Sequence, residues 1–153
     1  YPNKRLYGLD WATSSVDIAN EMGKIHGWNI SGSVFDFFAP DQNIRIDKDS
    51  AILTFGALEQ TGTDYKDFLQ YILDSSPKLC VHVEPMLEWY DDKNLVDYAA
   101  IRFHEKRNYW RGFEAKLKEL ESDGKVEILK SKRSYFGSLY IEGYSQLIWR
   151  PTI

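Results

Sequence analysis

The chain has 153 residues, 19 basic and 23 acidic, with a net charge of −4 and 43% apolar side chains. That length suits one domain with a sizeable core. The acidic balance argues against a nucleic-acid binder, and no apolar run approaches the roughly 18 residues that cross a bilayer. The single Cys80 cannot close an internal disulfide, and no apolar leader with a basic flank opens the chain. Together these point to a reducing, cytoplasmic-type compartment. The chain begins with Tyr1 rather than Met, so a fragment of a longer protein or a processed one is expected.

In chain order, Arg5 to Asp10 reads as a short strand ending on a carboxylate. Ser14 is placed to cap a helix running to about Met22, with Val16, Ala19 and Met22 three apart and Gly23 after its end. Trp28 and Ile30 alternate with polar residues and open a second strand leading to the stretch from Gly32 to Phe38. Residues 40–49 form a polar connection. Residues 50–56 are nearly all apolar, as in a strand buried on both faces of a parallel sheet. Tyr65, Phe68, Leu69, Ile72 and Leu73 mark one face of a helix that Pro77 follows. Residues 79–85 form another buried strand ending on polar groups.

From about Asn94 to Ser122 the pattern is helical but uneven, with a stripe at Phe113, Leu117 and Leu120 and a stop at Gly124. Val126 to Leu129 starts a strand. Leu139, Ile141, Gly143, Ser145, Leu147 and Trp149 share one face of a long final strand. No helix fits between these two, so they should pair antiparallel through a hairpin-like connection. The expected fold is α/β: a doubly wound, Rossmann-like, mostly parallel sheet with an antiparallel last strand, in three α/β/α layers. The strands ending at Asp10, Phe55 and Val83 should be parallel members of one sheet.

Ligands in open α/β sheets bind outside the carboxyl ends of the strands. Asp10 is therefore either an acid that takes the two hydroxyls of a ribose or a plain loop acid at a helix start. His82 and Glu84 fall on the same side of a strand near its carboxyl end. As a pair they are candidate acid–base residues, with His82 the natural base near neutral pH; the alternative for His82 is a buried ring satisfied by a neighbour. A metal site there lacks further ligands. Glu59 and Gln60 leave the Phe55 strand toward the cleft mouth and are candidate substrate contacts, or else cap a helix. His104 and Arg107 are three apart on one helical face and could hold a phosphate-bearing or sugar-nucleotide substrate. The alternative is a solvated face, which also suits residues 130–133.

At these residues the chain resembles the class I S-adenosylmethionine-dependent methyltransferases. GLDWATSSVDIANEM, residues 8–22, is similar to the family's second strand and following helix. The resemblance implies that Asp10 holds the cofactor ribose and that Trp11 covers the adenine. GSVFDFFAPD, residues 32–41, resembles the turn after the third strand, where Asp36 and the backbone of Phe37 would read the adenine edge. SAILTFGALEQTG, residues 50–62, resembles the fourth strand and its exit, with Phe55 beside the cofactor. HVEP at 82–85, FHEKRNYWRGF at 103–113 and FGSLYIEGYS at 136–145 are most similar to small-molecule and sugar methyltransferases.

The family's first strand and glycine-rich loop have no counterpart here, so the chain reads as an amino-terminally truncated single domain over residues 1–153. The expected function is methyl transfer to a small molecule such as a sugar or sugar-containing metabolite, with S-adenosylmethionine as cofactor and with no nucleic acid or membrane as partner. Two alternatives stand beside it: a noncatalytic α/β module, and an NAD-dependent Rossmann enzyme.

Overall fold

The structure, a computed structural model, describes residues 3–152. The chain divides into two compact units, Tyr1–Asp41 and Gln42–Ile153.

In the first unit, β1 (Leu6–Asp10), α1 (Thr13–His26) and β2 (Ile30–Val34) form a strand–helix–strand module. β1 and β2 are parallel, with Gly8 opposite Gly32. Two glycines let the helix close on the strands. A Cβ on Gly23 would lie 2.7 Å from the Ile30 carbonyl oxygen, and one on Gly32 would lie 2.6 Å from that of Val16. The Asn20 side chain completes the join by accepting a 2.8 Å bond from the Gly32 N–H. The helix differs from expectation at both ends. Its N-cap is Ala12, with no side-chain cap from Ser14, and it runs through Gly23 to end at Gly27, whose φ of 63° is left-handed. Gly23 is thus a packing glycine, and Gly27 is the stop.

The second unit holds a four-stranded sheet in the order β3 (Ala51–Phe55), β4 (Leu79–Val83), β6 (Gln146–Pro151), β5 (Val126–Lys132). β3 and β4 are parallel, with Thr54 opposite His82. β6 runs antiparallel to both its neighbours, as the hairpin-like link between the last two strands required. α2 (Lys66–Ser75) buries Phe68, Leu69, Tyr71 and Ile72, the stripe its spacing marks. One face of the sheet presents Thr54, Cys80, His82, Leu147 and Trp149, all buried. Against it pack Trp110 and Phe113, the latter with its ring 5.3 Å from that of His82. The opposite face of β3 stays open: Leu53 is 67% exposed and Phe55 58%.

Three expectations change. The strands ending at Asp10, Phe55 and Val83 do not form one continuous ladder. Among the described residues the outer edges of β1 and β3 pair with no strand, so the hydrogen bonds fall into two sheets of a mixed α/β fold. The helical stretch from Asn94 to Ser122 is two helices, α3 (Leu95–Arg107) and α4 (Phe113–Ser122). They part where Asn108 and Gly112 take left-handed φ angles of 52° and 79°. The long final strand is short, because residues 133–145 are drawn into an ion cluster described below and join no ladder. Only Leu147 and Trp149 of its expected face lie in β6.

Candidate functional site

Each unit carries its own group of candidate functional side chains. In the first, Asp10 ends β1 and Asp36 follows β2, both on the loops at the carboxyl ends of parallel strands. Asp10 accepts a 2.8 Å bond from the Ala12 N–H, and Asp36 one from the Phe38 N–H at the same distance. Each bond spans two residues and uses one carboxylate oxygen. Among the described residues the second oxygen of each makes no hydrogen bond. These are Asx turns, which fix a carboxylate while leaving half of it for a ligand. Trp11 is 78% exposed beside Asp10, and Phe37 is half-buried beside Asp36.

In the second unit a buried polar chain links three strands. The Trp149 Nε1–H donates to His82 Nε2 at 2.9 Å. An indole N–H is only a donor, so Nε2 carries the lone pair and Nδ1 carries the proton. Nδ1 therefore donates to Thr54 Oγ1, 2.9 Å away. His82 is fully buried, and burial lowers its pKa to about 3. Both ring nitrogens are engaged and the ring is neutral, so the expected proton acceptance by His82 has no free lone pair to use.

Glu84, two residues on, is also fully buried. Its Oε1 accepts from the N–H groups of Ala57 at 3.1 Å and Leu58 at 3.3 Å. These open the short 3₁₀ turn Leu58–Thr61 that leaves β3. Its Oε2 is buried without a partner among the described residues. Burial raises the Glu84 pKa, opposed by the Thr54 hydroxyl and the N–H groups of Ala57, Leu58 and Glu59. Glu59 sits on that same turn. Burial first, then the charge of Glu84, raises its pKa to about 7. Gln60 beside it is exposed.

The structure does not bring His104 and Arg107 together. His104 is fully buried in α3 and donates from Nε2 to the Tyr140 carbonyl at 2.9 Å, with Tyr90 and Tyr109 rings around it. Burial lowers its pKa, and its Nδ1 has no partner among the described residues. Arg107 is exposed over the Phe103 ring, 5.4 Å from its centroid. A three-residue spacing shares a broad helix face, but here the core boundary runs between the two side chains.

Arg133 departs most from the sequence reading. It is no solvated charge. Its guanidinium makes paired bonds to Asp97, both 2.7 Å, and to Glu142 at 2.6 and 2.9 Å, and lies between the Tyr90 and Tyr135 rings. Its bonds to the two carboxylates raise its pKa, and Arg133 in turn lowers that of Asp97. This cluster pins residues 133–145 to the start of α3. Next to it Phe55, Tyr144 and Phe136 form a run of rings 5.5 and 5.1 Å apart. Phe55, assigned to the cofactor by resemblance, thus stands exposed at the exit of β3.

The order of elements, the mixed sheet ending in a reversed strand and the acids after β1 and β2 define a class I methyltransferase-like fold. Solved structures of methyltransferases share it. The small RNA methyltransferase HEN1 matches 96% of this chain at 18% identity and a TM-score of 0.60. The CMeT domain of the citrinin polyketide synthase matches 95% of it at 14% identity and a TM-score of 0.57. The methyltransferase domain of a bacterial Hen1 matches 95% at 16% identity and a TM-score of 0.52. The chain spans 20% of the HEN1 chain and 38% of the polyketide synthase chain, but 76% of the bacterial domain. No protein-family model matches the chain, and no curated protein does. No helix among the described residues is long and apolar enough to cross a membrane.

Proposed function

We propose that this chain is the greater part of an S-adenosylmethionine-dependent methyltransferase of the three-layer α/β/α type. The observation that carries the reading is the pair of half-free carboxylates, Asp10 and Asp36, held by Asx turns after two adjacent parallel strands. A ribose diol and an adenine amino group are the donors such acids take. Trp11 and the Phe37 backbone take the adenine in this reading, and Phe55 keeps its cofactor role. The methyl donor supplies an activated methyl group; this chain's residues orient the acceptor and manage its proton. Glu59, Glu84 and Gln60 at the exit of β3 belong to the acceptor end.

Among the described residues each sheet has two outer strands with an unpaired edge, β1 and β2 in one and β3 and β5 in the other. A parallel strand is what the edges of β1 and β3 accept, and a stripe of exposed Ile18, Met22 and Ile25 on α1 asks for a helix to cover it. We propose that residues upstream of this chain supply a strand, a glycine-rich turn and a helix. Those residues would hold the methionine part of the cofactor.

The acceptor in this reading is a small hydroxylated molecule, a sugar or a sugar-containing metabolite. A second reading, an RNA acceptor, is favoured by the likeness to HEN1, whose structure is that of a small RNA methyltransferase. The net charge of −4 weighs against it, since phosphate contacts dominate RNA affinity. Isothermal titration of the protein as its gene encodes it tests the class. S-adenosylmethionine should bind and NAD should not; NAD binding alone would transfer Asp10 to the dinucleotide reading.

A further inference from the structure

We propose that Trp149, His82 and Thr54 form a one-way chain of hydrogen bonds ending on Glu84, and that Glu84 is a positioning residue holding the turn that carries Glu59 and Gln60. The proposal rests on the methyltransferase reading only for the use of that turn as the acceptor's contact. Every residue in it belongs to the second unit.

The direction of the chain is set at Trp149. An indole N–H donates and never accepts. Its 2.9 Å bond to His82 Nε2 therefore leaves the His82 proton on Nδ1. The Nδ1–H then donates to Thr54 Oγ1, also at 2.9 Å. The His82 ring is held from its sides as well. The Phe113, Trp149 and Trp110 rings lie 5.3, 6.2 and 6.3 Å from it between centroids. Ring and tautomer are both fixed. The Thr54 hydroxyl hydrogen is not used by His82, and it turns about its own bond to suit an acceptor.

Glu84 is the acceptor left for it. Thr54 lies opposite His82 in the ladder of β3 and β4. Glu84 follows His82 by two residues, and its N–H donates to the Ser145 carbonyl at 3.0 Å, so the pairing of β4 continues past Val83. A spacing of two keeps both side chains on one face of the sheet. The Glu84 side chain is fully buried, with Oε1 taken by the N–H groups of Ala57 and Leu58 and Oε2 without a donor. One buried donor and one buried acceptor are thus left over beside the same ring, and buried polar groups are paired. A bond from the Thr54 hydroxyl to Glu84 Oε2 satisfies both. Burial raises the Glu84 pKa, and the Thr54 hydroxyl is among the groups that oppose the rise, as a donor to the carboxylate does.

What Glu84 holds is the start of the turn. The later part is tied to the link between α3 and α4 by backbone bonds, from the Trp110 N–H to the Glu59 carbonyl at 2.8 Å and from the Arg111 N–H to the Gly62 carbonyl at 3.0 Å. Gly62, with a left-handed φ of 62°, admits Asn108 there: a Cβ on it would lie 2.7 Å from Asn108 Nδ2. The first part, Ala57 and Leu58, has the Glu84 carboxylate as its side-chain anchor. Glu59 and Gln60 follow directly. Trp149, on β6 and across β4 from the turn, therefore sets the place of two candidate acceptor contacts.

The test uses the protein as its gene encodes it. NMR of nitrogen-15-labelled histidine reads the tautomer. His82 should carry its proton on Nδ1, with Nε2 as an acceptor; a proton on Nε2 reverses the chain and overturns the proposal. Amide hydrogen exchange reads the hold on the turn. T54V removes the hydroxyl at nearly constant volume. In the folded variant, checked by circular dichroism, exchange at Ala57 and Leu58 should quicken at least about tenfold, the size expected for a lost bond to a charged group. Ile72 and Leu117, outside the turn, should exchange as in the parent. T54S returns the hydroxyl and should restore the parent rates.

Unmoved exchange at Ala57 and Leu58 in folded T54V would overturn the proposal. So would equal acceleration at Ile72 and Leu117, which is what a general loss of stability produces, or a failure of T54S to rescue. If T54V does not fold, the parent decides: the Thr54 hydroxyl proton should be seen in slow exchange with a through-space contact to the Glu84 side chain, and its absence counts against the chain. Titration with S-adenosylmethionine is scored apart. A parent that does not bind it removes the methyltransferase reading and the acceptor's use of the turn, while the exchange rates still decide whether the chain holds that turn.

Discussion

The two units place their apolar residues in opposite ways. Residues 42–153 bury Leu58, Ile72, Trp110, Phe113, Leu117, Leu147 and Trp149 almost completely. In the first 41 residues Phe35 alone among the described apolar side chains falls below a tenth exposed, while Leu6, Trp11, Ile18, Ile25 and Trp28 are half exposed or more. A two-stranded sheet with one helix has too few layers to cover its apolar surface. The first unit is thus specified by close backbone approaches, at Gly23 and Gly32, and by one amide side chain, Asn20. The second is specified by a packed core with a polar chain running through it.

The contrast is sharpest in core truncation. Phe113→Ala should cost the second unit about 3–5 kcal/mol in denaturant unfolding, whereas Ile18→Ala should change stability by less than about 0.5 kcal/mol. A large loss at Ile18 in these 153 residues alone would mean that its face is covered from within them and the contrast false. Next comes the ion cluster. Arg133→Met leaves Asp97 and Glu142 without their cation and should cost about 3 kcal/mol, with faster amide exchange at residues 134–145. Unchanged exchange there would release that segment from the pin assigned to it.

The polar chain predicts two opposed pH slopes in the unfolding free energy. His82 has a folded pKa near 3, below the free value of 6.5. Its contribution is present above pH 6.5 and is lost as pH falls toward 3. Glu59 is raised from 4.5 to about 7. Its contribution is complete below pH 4.5 and is lost as pH rises through 7. Thermal melts from pH 3.5 to 8 should show both, and E59Q should reduce the upper slope, to which the raised Glu84 also contributes, without changing the lower one. The smallest effect belongs to the first unit. Asn20→Ala removes two part-buried bonds to Gly32, of 2.8 and 3.5 Å, and should cost about 1 kcal/mol, seen as faster exchange of the Gly32 amide.

What the sequence made legible follows the same divide. Apolar periodicity located α2, β3 and β4, because those elements bury one face or both, and burial is what periodicity reports. The acids after β1 and β2 were also readable, since a strand that stops on Asp is a local signal. The partners of His82 were not. Thr54 and Trp149 lie 28 and 67 residues from it in sequence, and nothing local in an apolar strand says which polar residue will meet which ring. The role of Arg133 was hidden for the same reason: its carboxylates are 36 and 9 residues away. The final strand was read too long because Leu139, Ile141, Gly143 and Ser145 alternate like a strand, while the Arg133–Glu142 bonds hold that stretch off the ladder. Gly23 looked like a helix stop, and only the nearness of Ile30 shows it to be a contact glycine.

The central claim is that Asp10 ends its strand as a ligand acid. Isothermal titration of S-adenosylmethionine into the protein as its gene encodes it, and into its D10A variant, tests it most directly. A charge-assisted bond contributes about 1.5–3 kcal/mol, so D10A should bind roughly 10- to 100-fold more weakly, and D17A on the exposed face of α1 should bind like the parent. Equal affinity in D10A would make Asp10 a turn acid and nothing more.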